Sequence, residues 1–178
     1  MSSAAAARAF AAVALLAAAC APAAQPELGL TVGRATDSQD TDILRLVYRR
    51  PLAADAAPAQ PWWRPQLLQF GASVWRVPDL GGITRRYDAS VTPVWRKETA
   101  LGYLEAGIGA YLLSHTINND TNRLPSALQF GSHVGMGLWL GAPRQASVGV
   151  AFQHLSNAGI KQPNGGINFY LLTIGIEL

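Results

Sequence analysis

Apolar and polar residues alternate along most of the chain with a period of two, which is the spacing of side chains on a β-strand. The clearest segment is 126–140. Its apolar positions are Leu128, Phe130, Val134, Met136 and Leu138, and the polar or glycine positions between them are Gln129, Gly131, His133, Gly135 and Gly137. Segment 101–113 repeats the pattern, and no apolar period typical of a helix appears. The pattern predicts eight strands, at 27–36, 41–50, 62–77, 83–96, 101–113, 126–140, 146–156 and 167–178.

Each predicted strand reaches the roughly 9–11 residues that a tilted strand needs to cross a bilayer. Glycine and polar residues on the second face suit the packed interior of a narrow barrel. The chain is therefore predicted to be all-β, an eight-stranded antiparallel transmembrane β-barrel preceded by a cleaved signal peptide. Tryptophans near predicted strand ends are expected in interfacial girdles, and they are Trp62, Trp63, Trp75, Trp95 and Trp139.

A soluble, lipocalin-like barrel is the alternative fold, because it also has about eight strands. It requires the opposite assignment of the two faces, with the apolar side inward. The glycine-rich faces would then form an exterior with few charges, which would dissolve poorly.

The first 24 residues have the features of a signal peptide. Arg8 precedes an apolar core at 10–19, and the small residues of 21–24 offer a cleavage site. The predicted organisation is a signal peptide at 1–24 and a single barrel domain at 25–178. Cys20 is the only cysteine and leaves lipidation open as an alternative to simple cleavage.

Charge and composition argue against several other classes of protein. Charged residues make up 14% of the chain, and the formal net charge of +3 is spread without a basic stripe. Nucleic acid is therefore not an expected partner.

The expected surroundings are the Gram-negative outer membrane, with the links 37–40, 78–82, 114–125 and 157–166 outside and both termini periplasmic.

Three polar residues fall on the apolar face of the last two predicted strands. His154 and Ser156 continue the even-numbered apolar row of the first strand, and Asn168 belongs to the even row of the second. In a regular antiparallel hairpin His154 and Asn168 would be near neighbours. The trio is thus expected at the outer end of the barrel, facing lipid.

This trio has the residue types of a serine hydrolase. Ser156 is the candidate nucleophile and His154 the candidate base, while Asn168 could accept a hydrogen bond from the imidazole Nδ1–H. Backbone N–H groups after Ser156 leave the strand and could bind an oxyanion. Such chemistry requires neither a metal nor a cofactor, and none is expected.

Other polar residues have plainer explanations. His115 is expected on a loop surface beside Ser114, and His133 is expected as a satisfied polar residue of the barrel interior. Glu105 should pair with an arginine inside the barrel. The loop cluster at 118–120 is a weak candidate for cation binding.

The hairpin sequence HLSNAGIKQPNGGIN at 154–168 closely resembles the signature of the PagL-type lipid A 3-O-deacylases. The segments AYLLSHTIN at 110–118 and LQFGSHVGMG at 128–137 resemble those that precede it in that family. The resemblance implies an outer-membrane barrel whose lipid-facing site removes the acyl chain ester-linked at position 3 of lipid A. It implies that His154 and Ser156 are catalytic and that the backbone N–H groups of Asn157 and Gly159 form the oxyanion hole.

One position departs from that family, because Asn168 stands where its members carry a catalytic Glu. Glu177 and Glu105 are at odd-numbered positions, whose side chains should face the barrel interior, so they cannot easily replace the catalytic Glu. Lys161 and Arg123 are predicted, from charge and loop position, to meet the phosphates of lipopolysaccharide.

Two other functions stay open at this stage. One is a catalytically inactive outer-membrane barrel with a structural or lipid-binding role, and the other is a periplasmic or secreted lipid-binding barrel. The sequence does not determine the acyl-chain preference or the oligomeric state, and it leaves a homodimer open.

Overall fold

In the computed structural model, strands make up most of the described residues, which are 25–36, 41–52, 61, 63–79, 81–118, 123–142, 144–162 and 165–178. Eight strands are long: β1 (Glu27–Ala35), β2 (Asp42–Pro51), β3 (Leu67–Asp79), β4 (Gly82–Glu98), β5 (Gly102–Leu113), β8 (Leu128–Leu140), β9 (Ala146–Ser156) and β10 (Ile167–Glu177). The two short strands, β6 (Ile117–Asn118) and β7 (Arg123–Leu124), pair with each other.

The long strands close into an antiparallel barrel in the order β1-β10-β9-β8-β5-β4-β3-β2. A path that moves from each residue to its cross-strand partner, once around the barrel, starts at Phe130 on β8 and returns to β8 at Leu140, ten residues further along. The path runs through Ala110, Val91, Phe70, Tyr48, Leu28, Ile176 and Ala146. Such a stagger requires strands that are tilted to the barrel axis.

The two ends of the barrel differ. We call the end where β9 turns into β10 the site end. The opposite end, which we call the termini end, carries residues 25 and 178. Because of the stagger, residues that are successive cross-strand partners do not lie at one height. Their positions shift toward the site end from β9 through β10, β1, β2 and β3 to β4.

The outer wall of the barrel is apolar. Exposed large apolar side chains lie on all eight long strands, and they include Leu30, Leu46, Phe70, Tyr87, Leu104, Ile108, Val134, Met136, Val150 and Ile174. A wall of this kind suits hydrocarbon, so the predicted transmembrane barrel is confirmed and the lipocalin-like assignment of the faces is wrong. No helix among the described residues is long and apolar enough to cross a membrane.

Charged residues cross-link the interior near the termini end. Arg96 donates to Glu105 at 3.0 and 2.7 Å and to Glu27 at 3.0 Å. Arg49 also donates to Glu27 and lies 3.6 Å from the Glu105 carboxylate. The predicted pairing of Glu105 with an arginine is confirmed, and His133 is buried beside it at 3.9 Å.

The interior of the site end is mainly apolar, unlike the polar lining that the alternation predicts for the whole lumen. Buried residues fill it, and they are Ile43, Trp75, Val77, Tyr111, Leu113, Ile117, Leu124, Leu155, Ile167, Phe169 and Leu171. Ile117 and Leu124 come from the β6–β7 hairpin, which therefore seals this end of the barrel.

The expectation that Trp75 joins an interfacial girdle is wrong. Its ring is fully buried against Phe169, with ring centroids 5.1 Å apart, and its Nε1–H donates to Asp88 at 2.5 Å. Trp63 is exposed and Trp95 half-buried near the termini end, where the Trp95 Nε1–H donates to the Trp63 carbonyl. Trp62 lies outside the described residues.

The predicted strands match the observed ones closely in number and order. The largest difference is that β3 begins at Leu67 rather than at residue 62. The β6–β7 hairpin was not predicted, because strands of two residues are too short to show alternation. The predicted signal peptide and Cys20 lie outside the described residues.

Replacing Arg96 with methionine should strongly destabilise the barrel, because it leaves buried Glu105 without its main partner and buried Glu27 with Arg49 alone. We expect the free energy of unfolding, measured by urea titration in lipid vesicles, to fall by about 3–5 kcal/mol. The double variant Arg96→Met/Glu105→Gln should lose less than the sum of the two single changes. Additive losses would show that the pair is not coupled.

Candidate active site

The three predicted residues share the lipid-facing side of the β9–β10 hairpin. His154, Ser156 and Asn168 are all half-buried. Their chain neighbours Leu155 and Ile167 are fully buried on the inside of the barrel. The alternation along both strands therefore turns the polar trio outward, as the sequence predicts.

His154 and Asn168 are direct cross-strand partners joined by a side-chain hydrogen bond. The His154 Nδ1 lies 2.7 Å from the Asn168 Oδ1. An amide oxygen can only accept, so the imidazole carries its proton on Nδ1 in this arrangement. The lone pair of Nε2 is then available to take a proton from another group, which is the state a general base requires.

The interior side of β9 anchors this geometry. Gln153, which directly precedes His154, is fully buried. It donates to the Tyr111 hydroxyl at 2.6 Å and accepts from Arg45 at 3.0 Å. These contacts tie the strand to the far side of the lumen, so the wall beneath the imidazole is rigid.

A tight loop follows Ser156 and is organised by the side chain of Asn157. Asn157 is fully buried, and its amide donates to the Lys161 carbonyl at 2.7 Å. Its Oδ1 accepts from the Gly159 N–H at 3.0 Å, and Ala158 and Gly159 have φ angles of 54° and 80°. The Gly159 N–H, predicted as an oxyanion donor, is thus already bonded within the loop.

The remaining sequence candidates are two basic residues and two glutamates. Lys161 is exposed in the loop, whereas the side chain of Arg123 lies outside the described residues. Glu105 is buried in the lumen. Glu177 ends β10 nine residues from Asn168, which is about 30 Å along a strand. The described part of the chain therefore offers neither glutamate as a substitute for the missing acid.

The other predicted polar positions have the local roles expected of them where they are described. His115 lies on the surface with its Nδ1 3.1 Å from the Ser114 hydroxyl. Residues 119 and 120 of the suggested cation cluster lie outside the described residues. Among the residues that the structure describes, no group of three His, Cys, Asp or Glu side chains could hold a metal.

Two neighbours of the imidazole are not predicted from the sequence. Ser132 on β8 faces outward directly opposite His154, on the side away from Asn168. Gly166 has a φ of 67°, and a Cβ there would lie 2.7 Å from the His154 Cε1. The motif Asn-Gly-Gly at 164–166 has the composition of an ordinary turn, so only the fold reveals that Gly166 makes room for the imidazole.

An apolar groove runs down the outer wall from the site. Its volume is about 1020 Å³, and its lining includes Val134, Met136, Val150, Phe152, Tyr170 and Leu172. Phe152 and Tyr170 are cross-strand partners two residues from His154 and Asn168, with ring centroids 5.6 Å apart. The groove therefore begins directly beneath the polar trio and is lined by apolar side chains.

Comparison with known proteins gives a consistent result. The family described as lipid A 3-O-deacylase (PagL) matches residues 44–177. A lipid A deacylase PagL of Bordetella bronchiseptica is 40% identical over 114 residues, which cover 63% of this chain and 62% of that protein, just under two thirds of its length. A lipid A deacylase PagL of Pseudomonas aeruginosa is 34% identical over 143 residues, covering 75% of this chain and 79% of its own length.

Similarity to a solved structure extends to the arrangement of the strands. The crystal structure of the outer membrane enzyme PagL aligns with a TM-score of 0.69 and 29% identity, covering 85% of this chain and 99% of that one. The family match spans most of the barrel, including both strands of the candidate site. The chain therefore belongs to the PagL lipid A 3-O-deacylase family.

Proposed function

We propose that the protein is a lipid A 3-O-deacylase of the Gram-negative outer membrane, a serine esterase that hydrolyses the acyl chain ester-linked at position 3 of lipid A in lipopolysaccharide. The observation that carries this proposal is the 2.7 Å contact between His154 and Asn168 on the lipid-facing wall, two residues from Ser156. Membership of the family supports the class of substrate.

The proposed reaction follows the roles of a serine hydrolase. The Ser156 Oγ attacks the carbonyl carbon of the ester while the His154 Nε2 takes the hydroxyl proton. The amide oxygen of Asn168 accepts from the Nδ1–H and keeps the imidazole in the tautomer and orientation that the transfer needs. The same imidazole protonates the departing sugar oxygen, and water then releases a free fatty acid from Ser156.

The developing oxyanion needs donors close to Ser156. The backbone N–H groups of Asn157 and Gly159 are the proposed donors. Because the Gly159 N–H donates to the Asn157 Oδ1 at 3.0 Å, it must exchange that acceptor for the oxyanion during the reaction. The left-handed φ angles of Ala158 and Gly159 turn the loop sharply enough for successive N–H groups to converge.

The location of the site explains how a membrane-embedded substrate would reach it. The site end faces the cell exterior, so the trio lies at the depth of the outer leaflet. An acyl chain of lipid A can lie in the groove beneath Phe152 and Tyr170 while its ester meets Ser156. Lipopolysaccharide then needs no extraction from the membrane, and the outer-leaflet lipid is the partner of the protein.

The amide at position 168 is expected to weaken the enzyme. A carboxylate would stabilise the imidazolium that forms during catalysis, whereas a neutral amide only orients the ring. In a serine protease the corresponding change from Asp to Asn lowers kcat about 10⁴-fold, which is roughly 5 kcal/mol. The short His154–Asn168 contact supports an amide that performs the orienting half of this role.

A catalytically inactive barrel with a structural or lipid-binding role is the second candidate. The observation that favours it is the same amide, since no described carboxylate replaces it near His154. The proposed chemistry uses residues of a single chain, and the homodimer stays an untested alternative. Arg123 and Lys161 stay predicted contacts of the lipid A phosphates.

Cells that produce the wild-type protein should contain lipid A that has lost one 3-hydroxy acyl chain, as detected by mass spectrometry. The Ser156→Ala variant should leave lipid A intact because it lacks the nucleophile. Ser132→Ala is the matched control, since that hydroxyl also faces lipid beside His154, and it should deacylate like wild type. Intact lipid A in cells that contain folded wild-type protein would favour the inactive barrel.

Restoring a carboxylate at position 168 should accelerate the reaction. We expect Asn168→Glu to raise kcat at least about tenfold, because a charge beside the Nδ1–H stabilises imidazolium. Asn168→Leu should lower kcat below wild type, since it removes the acceptor. Rates of fatty-acid release from purified lipid A test both variants, and equal rates for all three proteins would show that position 168 does not orient His154.

A side chain at position 166 should displace the imidazole. In Gly166→Ala the new Cβ would collide with the His154 ring, and the left-handed backbone would add about 1 kcal/mol of strain. We expect kcat to fall at least about tenfold, as positional errors near 1 Å cost up to 10²-fold, with little change in KM. Gly165→Ala is the control one residue away, and a similar loss there would assign the effect to loop folding.

A further inference from the structure

A row of charged residues crosses the outer wall beside the candidate site. Successive partners on β1, β2, β3 and β4 are Arg34, Asp42, Arg76 and Arg85. The row continues on β10 with Tyr170, which lies two residues from Asn168 and lines the apolar groove beneath the candidate site. The four charged side chains face outward, where lipid or its headgroups would surround them.

The row has an excess of positive charge that its own members do not neutralise. Asp42 is the one carboxylate between three guanidinium groups, and it lies 3.7 Å from Arg34 and 3.8 Å from Arg76. The side chains of these two arginines are 63% and 61% exposed. Arg76 and Arg85 are direct cross-strand partners on the same face, an arrangement that repels unless an anion lies between them.

The height of the row suits the headgroup region. Arg34 is the second-last residue of β1 and Asp42 the first of β2, so both lie at the site end. The tilt of the strands raises Arg76 and Arg85 further toward that end. Arginine facing lipid costs about 2–4 kcal/mol at the midplane of a membrane but close to nothing at the interface, so its presence here indicates the interface.

A groove beside the row joins charged and apolar residues. Its volume is about 950 Å³, and it is lined by Asp42, Arg76 and Arg85 of the row together with Val32, Leu44 and Val74, which lie on the membrane side of the charged residues. Val32 lines this groove and also the apolar groove beneath His154, so the two grooves adjoin at β1. The combined surface has cations above and apolar side chains below, which is the complement of a phosphorylated, acylated lipid.

We propose that Arg34, Arg76 and Arg85 bind a phosphate group of the lipid A molecule whose ester meets Ser156. Arginine pairs with phosphate through two parallel N–H donors, and two facing guanidinium groups can share one phosphate. The row begins about 7–8 Å from Asn168 at Arg34 and reaches Arg85 three strands further, or about 15 Å. This assignment rests on the proposed function and names the part of the substrate that orients it.

Binding measured without turnover tests the row independently of catalysis. Full-length protein carrying Ser156→Ala in detergent micelles would be titrated with bisphosphorylated lipid A and with dephosphorylated lipid A of the same acylation. Adding Arg76→Gln/Arg85→Gln should weaken the first lipid about 10- to 100-fold and leave the second unchanged. Arg50→Gln is the matched control, an outward arginine at the termini end of β2, and should bind both lipids like its parent.

Gel mobility of unheated samples would confirm that each variant is folded before titration. Equal affinity of the double variant and its parent for phosphorylated lipid A would overturn the assignment. So would an equal loss for both forms of lipid A, or an equal loss for vesicles of phosphatidylglycerol, which would indicate a surface for any anionic lipid. These outcomes leave the proposed esterase intact.

In the enzyme that retains Ser156, the two arginine changes should raise KM for phosphorylated lipid A and leave kcat nearly unchanged. A fall in kcat with constant KM would contradict a role in substrate binding. Absence of turnover in the parent, together with retained phosphate-dependent binding, would refute the deacylase and keep the row as a lipid A site.

Discussion

Hydrocarbon offers no hydrogen bonds to a protein backbone, and each unsatisfied backbone group would cost several kcal/mol there. The eight long strands meet this constraint by closing on themselves, so no long strand has an open edge toward lipid. Closure in turn gives every strand one face toward lipid and one toward the lumen. A polar side chain on the lipid face is then costly, which makes each such residue informative. The His154–Asn168 pair and the arginine row are the notable cases on this wall.

The lumen stabilises the wall from inside in two different ways. Near the termini end, Arg49 and Arg96 cross-link β2 and β4 to Glu27 and Glu105 on β1 and β5. At the site end, apolar packing replaces ion pairs, and the β6–β7 hairpin covers it. Directly behind His154, Gln153 connects Tyr111 of this apolar packing to Arg45. His154, the proposed base on the outside of the wall, therefore rests on a filled core.

Alternation allowed most of the barrel to be predicted from the sequence. Side chains alternate strictly between the two faces of a regular strand. This alternation gives the number of strands, the face on which each side chain lies and the pairing of His154 with Asn168. Counting does not reveal how far the interior is polar. Trp75 was misplaced because aromatic residues near strand ends belong equally to a girdle and to an interior seal.

The finer features of the site depend on contacts between residues far apart in sequence. Ser132 and His154 face each other only because β8 and β9 have a particular register. The contact between Gly166 and the imidazole depends on the path of the turn, and the engagement of the Gly159 N–H depends on a buried Asn157 side chain. The arginine row likewise combines residues from four strands, each of which alone reads as an isolated surface charge.

The proposed function depends on an activated serine hydroxyl at the lipid side of the barrel wall. Its most direct measurement is covalent labelling of the folded protein in micelles with a long-chain alkyl fluorophosphonate, followed by peptide mass spectrometry. We expect one phosphonyl adduct, on Ser156, that forms in wild type and disappears in His154→Ala. A folded protein that stays unlabelled at Ser156, or one labelled at another serine instead, would contradict the proposed function.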